Sequence, residues 1–133
     1  MINKLLNILL IEDNPADARW LEEVFKDMEI KSELHIVTDG VEAMKYLYHK
    51  ERFKNAPEPD IILLDLSLPR MDGFEVLKKI KKDEELKSLP VVVITASNYP
   101  KDITEAYKNC ANYYINKPID SERVIKILHC IET

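Results

Sequence analysis

Four places in the chain carry side chains able to do chemistry together: the acidic pair Glu12 and Asp13, then Asp65, Thr95 and Lys117. Carboxylates bind hard cations and attack electrophilic centres, a hydroxyl donates one hydrogen bond, and an ammonium neutralises developing negative charge. Taken singly, each has an ordinary explanation, since acids cap loops, threonines satisfy backbone and lysines are solvated. What sets them apart is that each ends an apolar block. Glu12 and Asp13 follow Leu5–Ile11, Asp65 follows Ile61–Leu64, Thr95 closes Val91–Thr95, and Lys117 follows Tyr113–Asn116.

Those blocks, with Glu33–Val37, read as five strands. The segments around residues 8, 62 and 92 are apolar on both faces, as strands covered by helices on each side must be. Glu33–Val37 mixes His35 among its apolar residues and reads as an edge strand. Helical spacing fills the intervals. Pro15 to Met28 places Ala18, Leu21, Phe25 and Met28 on one face, with Asn14 as N-cap before a proline at the first helical position. A second helix runs from Val41 with Met44, Leu47 and Tyr48 inward, and a third is marked by Phe74, Leu77 and Ile80. The fourth begins near Pro100 with Ile103, Ala106 and Tyr107. The last carries Val124, Ile127, Leu128 and Ile131 after Asp120 or Ser121 as cap. Strict alternation of strand and helix predicts an α/β fold with right-handed crossovers and a parallel sheet.

Composition narrows the function. With 133 residues, 46% of them hydrophobic, the chain fits one domain with one core. Nineteen basic against 24 acidic residues give a net charge of −5, which disfavours a duplex-DNA reader. Lys78, Lys79, Lys81 and Lys82 sit opposite Leu77 and Ile80 and read as a solvated helix face. Trp20 and the tyrosines read as core and rim packing. Wholly apolar runs stop at four residues, far short of a membrane span, and the N-terminal stretch lacks a secretion signal. Cys110 and Cys130 are expected to be buried or inert thiols in a reducing cytoplasm. Their scatter relative to the three histidines gives no zinc spacing.

In an open parallel sheet, ligands bind outside the carboxyl ends of the strands, beside the point where strand order reverses. Strand order 2-1-3-4-5 would make strands one and three neighbours. Asp13 and Asp65 then come together, with Thr95 and Lys117 following outward. Three carboxylates in one small volume repel unless a proton or a hard cation relieves them. Oxygen ligands of this kind suit Mg²⁺.

The motifs IED at Ile11 to Asp13, LLDLSLPRMDG at Leu63 to Gly73, ITAS at Ile94 to Ser97 and NKP at Asn116 to Pro118 resemble, in this order, those of receiver domains of two-component response regulators. The resemblance covers nearly the whole chain. It implies a flavodoxin-like, doubly wound (βα)5 three-layer sandwich with strand order 2-1-3-4-5. It also implies that Asp65 accepts a phosphoryl group from a histidine kinase and that Asp13 binds Mg²⁺ directly, with Glu12 assisting through water and the Ser67 carbonyl as a further ligand. Thr95 and Lys117 would each meet a phosphoryl oxygen, Pro118 would follow a cis bond, and Tyr114 would occupy the aromatic switch position. Small Ala96 beside Thr95 would leave access to the site open.

The long connection from Tyr48 to Pro59 is similar to that of single-domain regulators paired with phytochrome-type kinases. By the same resemblance, output passes through helix four, strand five and helix five, including Ile103, Tyr107, Tyr114 and Val124. The partner there would be a second copy, a kinase, or a downstream or phosphotransfer protein, with no direct contact to nucleic acid or membrane. The chain is expected to be a single receiver domain over residues 1–133 with no output domain, cytoplasmic and not an enzyme. Where many relatives carry glycine before strand five, this chain has Asn109, Cys110 and Ala111, and Asn109 is expected to take the left-handed, helix-ending conformation. Two rival readings are a haloacid-dehalogenase-type phosphatase and a receiver-like scaffold that works without phosphorylation. The first needs a second aspartate two residues after Asp65, where Ser67 stands. The second leaves the full acidic and cationic set without a role.

Overall fold

The computed structural model describes residues 5–28 and 30–132. Its elements are β1 (Leu6–Ile11), α1 (Pro15–Lys26), β2 (Ser32–Val37), α2 (Gly40–Leu47), a 3-10 turn (Glu51–Phe53), β3 (Ile61–Asp65), α3 (Gly73–Lys82), β4 (Val91–Thr95), α4 (Pro100–Lys108), β5 (Tyr113–Asn116) and α5 (Ser121–Glu132). All five strands are parallel, in the order β2-β1-β3-β4-β5. This is the flavodoxin-like order that the resemblance implies, with β2 at one edge.

Side chains alternate across the sheet and divide the core in two. Leu9, Ile11, Ile62, Leu64, Val91 and Val93 face α2, α3 and α4, packing with Met44, Leu47, Val76, Leu77, Ile80 and Ala106. Ile8, Leu10, Ile61, Leu63, Val92, Ile94 and Ile115 face α1 and α5, packing with Ala18, Leu21, Phe25, Val124 and Leu128. The helix starts follow the sequence closely. Asn14 Oδ1 accepts from the backbone N–H groups of Ala16 and Asp17, and Asp120 Oδ1 accepts from that of Glu122.

Several side chains depart from the sequence expectation. Tyr48 ends α2 pointing outward and 44% exposed, while Tyr46 takes the inward place, its hydroxyl bonded to Pro57 O beneath the long connection. Lys81 is not part of a solvated face. Its ammonium donates to Lys87 O, Leu89 O and Asn112 Oδ1, tying the end of α3 to the loops that lead into β4 and β5. Cys110 and Cys130 are exposed rather than buried. The left-handed residue after α4 is Cys110, at φ 70°, and Asn109 stays at φ −94° because its side chain is bonded back to Glu105. Of the residues expected on the output face, Tyr107 is exposed and Ile103 half-buried, but Tyr114 and Val124 lie in the core. Tyr99, at the start of α4, is the most open aromatic.

Both glycines begin helices that press on the loop after β3. A Cβ on Gly40 would stand 2.7 Å from Met71 Cβ and closer still to Met71 O, and one on Gly73 would stand 2.5 Å from Leu66 Cα. Here backbone meets backbone, so no flexible side chain can move aside. Arg70, at φ 65°, adds a forked ion pair from the same loop to Asp39, the N-cap of α2, at 3.0 and 3.1 Å. Gly73→Ala should therefore lower stability by about 1–3 kcal/mol through overpacking. Urea denaturation measures this, and an unchanged midpoint would contradict the close approach.

Candidate functional site

Strand register assembles the site. Ile11 pairs with Leu64, which carries Glu12 to the level of Asp65; Asp65 pairs with Ile94, and Thr95 with Asn116. The N–H of Lys117 donates to Thr95 O at 2.8 Å, fixing the start of the β5–α5 loop against the end of β4. The Lys117–Pro118 bond is cis. Glu12, Asp65 and Thr95 are the buried polar residues of the described chain, at 1%, 4% and 2% exposure, whereas Asp13 is open.

One oxygen from each of Glu12, Asp13 and Asp65 lies within 4.8 Å of the others. Lys117 Nζ reaches into the same group, 2.9 Å from Glu12 Oε1 and 3.3 Å from Asp65 Oδ2, and it also lies 2.8 Å from Asp17 Oδ2. The Ser67 N–H donates to Asp65 Oδ1 at 3.2 Å. Thr95 Oγ1 accepts from the Ser97 N–H at 3.2 Å, and its own proton goes to no acceptor among the described residues. Ser97 O in turn accepts from the Tyr114 hydroxyl at 2.8 Å and from Asn116 Nδ2 at 2.5 Å, while Ser97 Oγ bonds Asp102 at 2.5 Å. Thr95 and Tyr114 thus belong to one hydrogen-bonded unit, and Ala96 between Thr95 and Ser97 is exposed.

Three carboxylates, those of Glu12, Asp17 and Asp65, share one ammonium here, and the electrostatics follow. Burial pushes the Glu12 carboxyl up to about 7; the Lys117 ammonium works against this, and Asp65 reinforces it. For Lys117, burial alone would loosen the proton, but Asp17, Glu12 and Asp65 together hold it more firmly than usual. Glu12 Oε1 is fully buried and makes no aligned hydrogen bond, even though Lys117 Nζ is close enough to form an ion pair. A buried, under-satisfied oxygen in an all-oxygen, net-negative cluster is the environment that a hard divalent cation completes.

A pH dependence follows. Because Glu12 is raised above its ordinary 4.5, its favourable neutral form is fully present below that value and is lost as pH rises through about 7. The cation-free protein should lose stability over this window, and divalent cations should bind more tightly as it is crossed. Calorimetry in buffers of different ionisation enthalpy should find close to one proton released per ion near pH 6 and close to none near pH 8. Equal proton release at both values would remove Glu12 from the cation-linked group.

The expected site residues Glu12, Asp13, Asp65, Ser67, Thr95, Lys117 and Pro118 all fall at this one edge, and Tyr114 sits behind it. Asp17 is the one the sequence reading missed. Its signal is its spacing, four residues after Asp13 and in the first turn of α1, which turns it back toward the strand end. A groove of about 800 Å³ between α2 and α3 holds none of these residues and is lined by Met44, Met71 and several lysines.

Residues 8–129 match the family described as "Response regulator receiver domain". Response regulator Rcp1 of Synechocystis sp. is 42% identical over 126 residues, covering 95% of this chain and 86% of that one. A crystal structure of the Mn²⁺-bound form of Rcp1 superposes with a TM-score of 0.82 at 42% identity, covering 96% of this chain and 91% of that one. The phosphorylated cyanobacterial phytochrome response regulator RcpA gives a TM-score of 0.84 at 42% identity, over 97% and 92% of the two chains. With these relatives, this sheet order and this acidic edge, the chain belongs to the receiver domains of response regulators and serves two-component signalling.

Proposed function

We propose that Asp65 is the phosphoryl acceptor, that Glu12, Asp13, Asp65 and the Ser67 carbonyl provide a Mg²⁺ site, and that Thr95 and Lys117 receive the phosphoryl oxygens. The observation that carries this is Lys117 Nζ at 3.3 Å from Asp65, beside carboxylate oxygens grouped within 4.8 Å. The Asp65 carboxylate attacks the phosphorus of a kinase phosphohistidine. The P–N bond breaks, an acyl phosphate forms, and the imidazole leaves. Mg²⁺, when bound, supplies charge neutralisation for the transferring group. Lys117 meets the charge on one equatorial oxygen, and the free proton of Thr95 is donated to another.

The same atoms supply the switch. A phosphoryl group brings roughly two negative charges at neutral pH and draws Thr95 toward it. Ser97, two residues on, moves with Thr95 and disturbs the carbonyl that holds Tyr114 and Asn116. Inverting a 1:99 equilibrium needs about 5.5 kcal/mol, which two or three charge-assisted hydrogen bonds of about 1.5–3 kcal/mol each supply.

The proposed donor is a histidine kinase of the phytochrome type, in a cytoplasmic pathway. Output then passes to a second copy or to a downstream or phosphotransfer protein through α4, β5 and α5. The receiver acts stoichiometrically, as a phosphoprotein. Incubation with acetyl phosphate and Mg²⁺, followed by intact-mass measurement, tests the central step. One base-labile phosphoryl group per chain is the expected result. Continuous turnover without an adduct would favour a phosphatase, and the absence of any adduct would favour a phosphorylation-independent scaffold.

A further inference from the structure

Lys117 is not poised solely for Asp65. Its ammonium is nearest to Asp17, at 2.8 Å, and 3.3 Å from Asp65. Asp17 is held in place by its surroundings. Its backbone N–H is bonded to the Asn14 cap, and one helical turn on, the Trp20 indole N–H donates to Ile119 O at 3.1 Å. That bond ties α1 to the chain just beyond Pro118, so the helix carrying Asp17 and the loop carrying Lys117 are braced together. A cavity of about 270 Å³, lined by Asp17, Trp20, Lys117, Pro118 and Ile119, adjoins the pair. The Asp17–Lys117 pair therefore borders open space that Asp65 does not line.

We infer that Asp17 is a positioning residue that competes with the phosphoryl group for Lys117, engaging part of the ammonium's charge and hydrogen-bonding capacity until phosphorylation draws it over. This rests on the acceptor role proposed for Asp65. In the resting protein Asp17 shares one cation with two buried carboxylates. When Asp65 carries a group of roughly two negative charges, the balance tips toward that group and the Asp17 contact is given up. Asp17 thus slows formation of the acyl phosphate by keeping part of the neutralising charge elsewhere.

The test is the rate of acyl phosphate formation in the full chain with Mg²⁺, using acetyl phosphate and, separately, phosphoramidate, whose net charges differ. Asp17→Asn should raise the rate about three- to tenfold, by a similar factor for both donors. Asp17→Glu, which keeps the charge and can restore the pair, should stay within about twofold of the parent, as should Glu22→Gln on the exposed part of the same helix. A parallel readout is acetylation of the Lys117 amine by a small anhydride, followed by peptide mass spectrometry, which should speed up several-fold in Asp17→Asn alone. A parent that is labelled normally while Asp17→Asn labels no faster would overturn the competition and leave the acceptor assignment standing. A gain confined to the more highly charged donor would also overturn it, since simple removal of repulsion explains that pattern. A parent that is never labelled would sink the acceptor assignment and this inference with it, whatever the acetylation rates.

Discussion

Asp65→Asn should yield a folded protein that takes up no phosphoryl group. The amide nearly matches the carboxylate in volume and can still accept from the Ser67 N–H, so the end of β3 keeps its shape. It lacks the charge and nucleophilicity that the acyl phosphate requires. Labelling by acetyl phosphate should fall on the order of a thousandfold, equivalent to about 4 kcal/mol of transition-state stabilisation. Neutralising one of the three carboxylates around a single ammonium also relieves repulsion with buried Glu12, so the variant should be at least as resistant to urea as the parent. Labelling at undiminished stoichiometry would move the acceptor to another residue. A collapse in stability would show that Asp65 matters to the fold rather than to the chemistry.

Lys117→Ala should produce the largest loss of stability among the site variants. It leaves Glu12 with a fully buried side chain and Asp65 nearly so, without their shared countercharge. Removing one partner of a buried ionic group commonly costs 3–5 kcal/mol, and the side-chain exposure of Lys117, 15%, brings the expectation to roughly 2–4 kcal/mol at pH 8. The loss should shrink toward pH 6. Without the ammonium, Glu12 is raised further, so its neutral form, which burial favours, persists to higher pH. Millimolar Mg²⁺ should restore part of the loss at pH 8, because a divalent cation offers the same oxygens a replacement charge. Denaturant midpoints at the two pH values, with and without Mg²⁺, check this. A small loss that is independent of pH would mean that Lys117 does little to hold the acids together.

The sequence reveals the sheet and the strand-end residues because both rest on strong local signals. Apolar blocks of four to seven residues mark the buried strands, and charged or polar residues that directly end them point to one edge. The strand order itself is not legible locally, since no short-range pattern places β1 between β2 and β3; it came with the family resemblance. Side-chain direction at element ends was the weaker part. Tyr46 and Tyr48 both follow the helical spacing of α2, and only the long connection folding back over Pro57 decides which of them is covered. Lys81 looked like one member of a charged run because its three oxygen partners come from segments 6 to 31 residues away. Asp17 is hidden for a similar reason. It reads as an ordinary first-turn acid of α1 until Lys117, 100 residues later, is set beside it.

The two sides of Asp65 differ in stiffness. On the side of α2 and α3, main chain abuts main chain at Gly40 and Gly73, and the Arg70 fork ties the intervening loop to Asp39. On the side of β4 and β5, the links are single hydrogen bonds that converge on the Ser97 carbonyl. Displacement that begins at the acceptor will therefore be anisotropic, reflected by the rigid wall and transmitted through the compliant one. Chemical modification of one carboxylate is in this way given a direction before any partner binds.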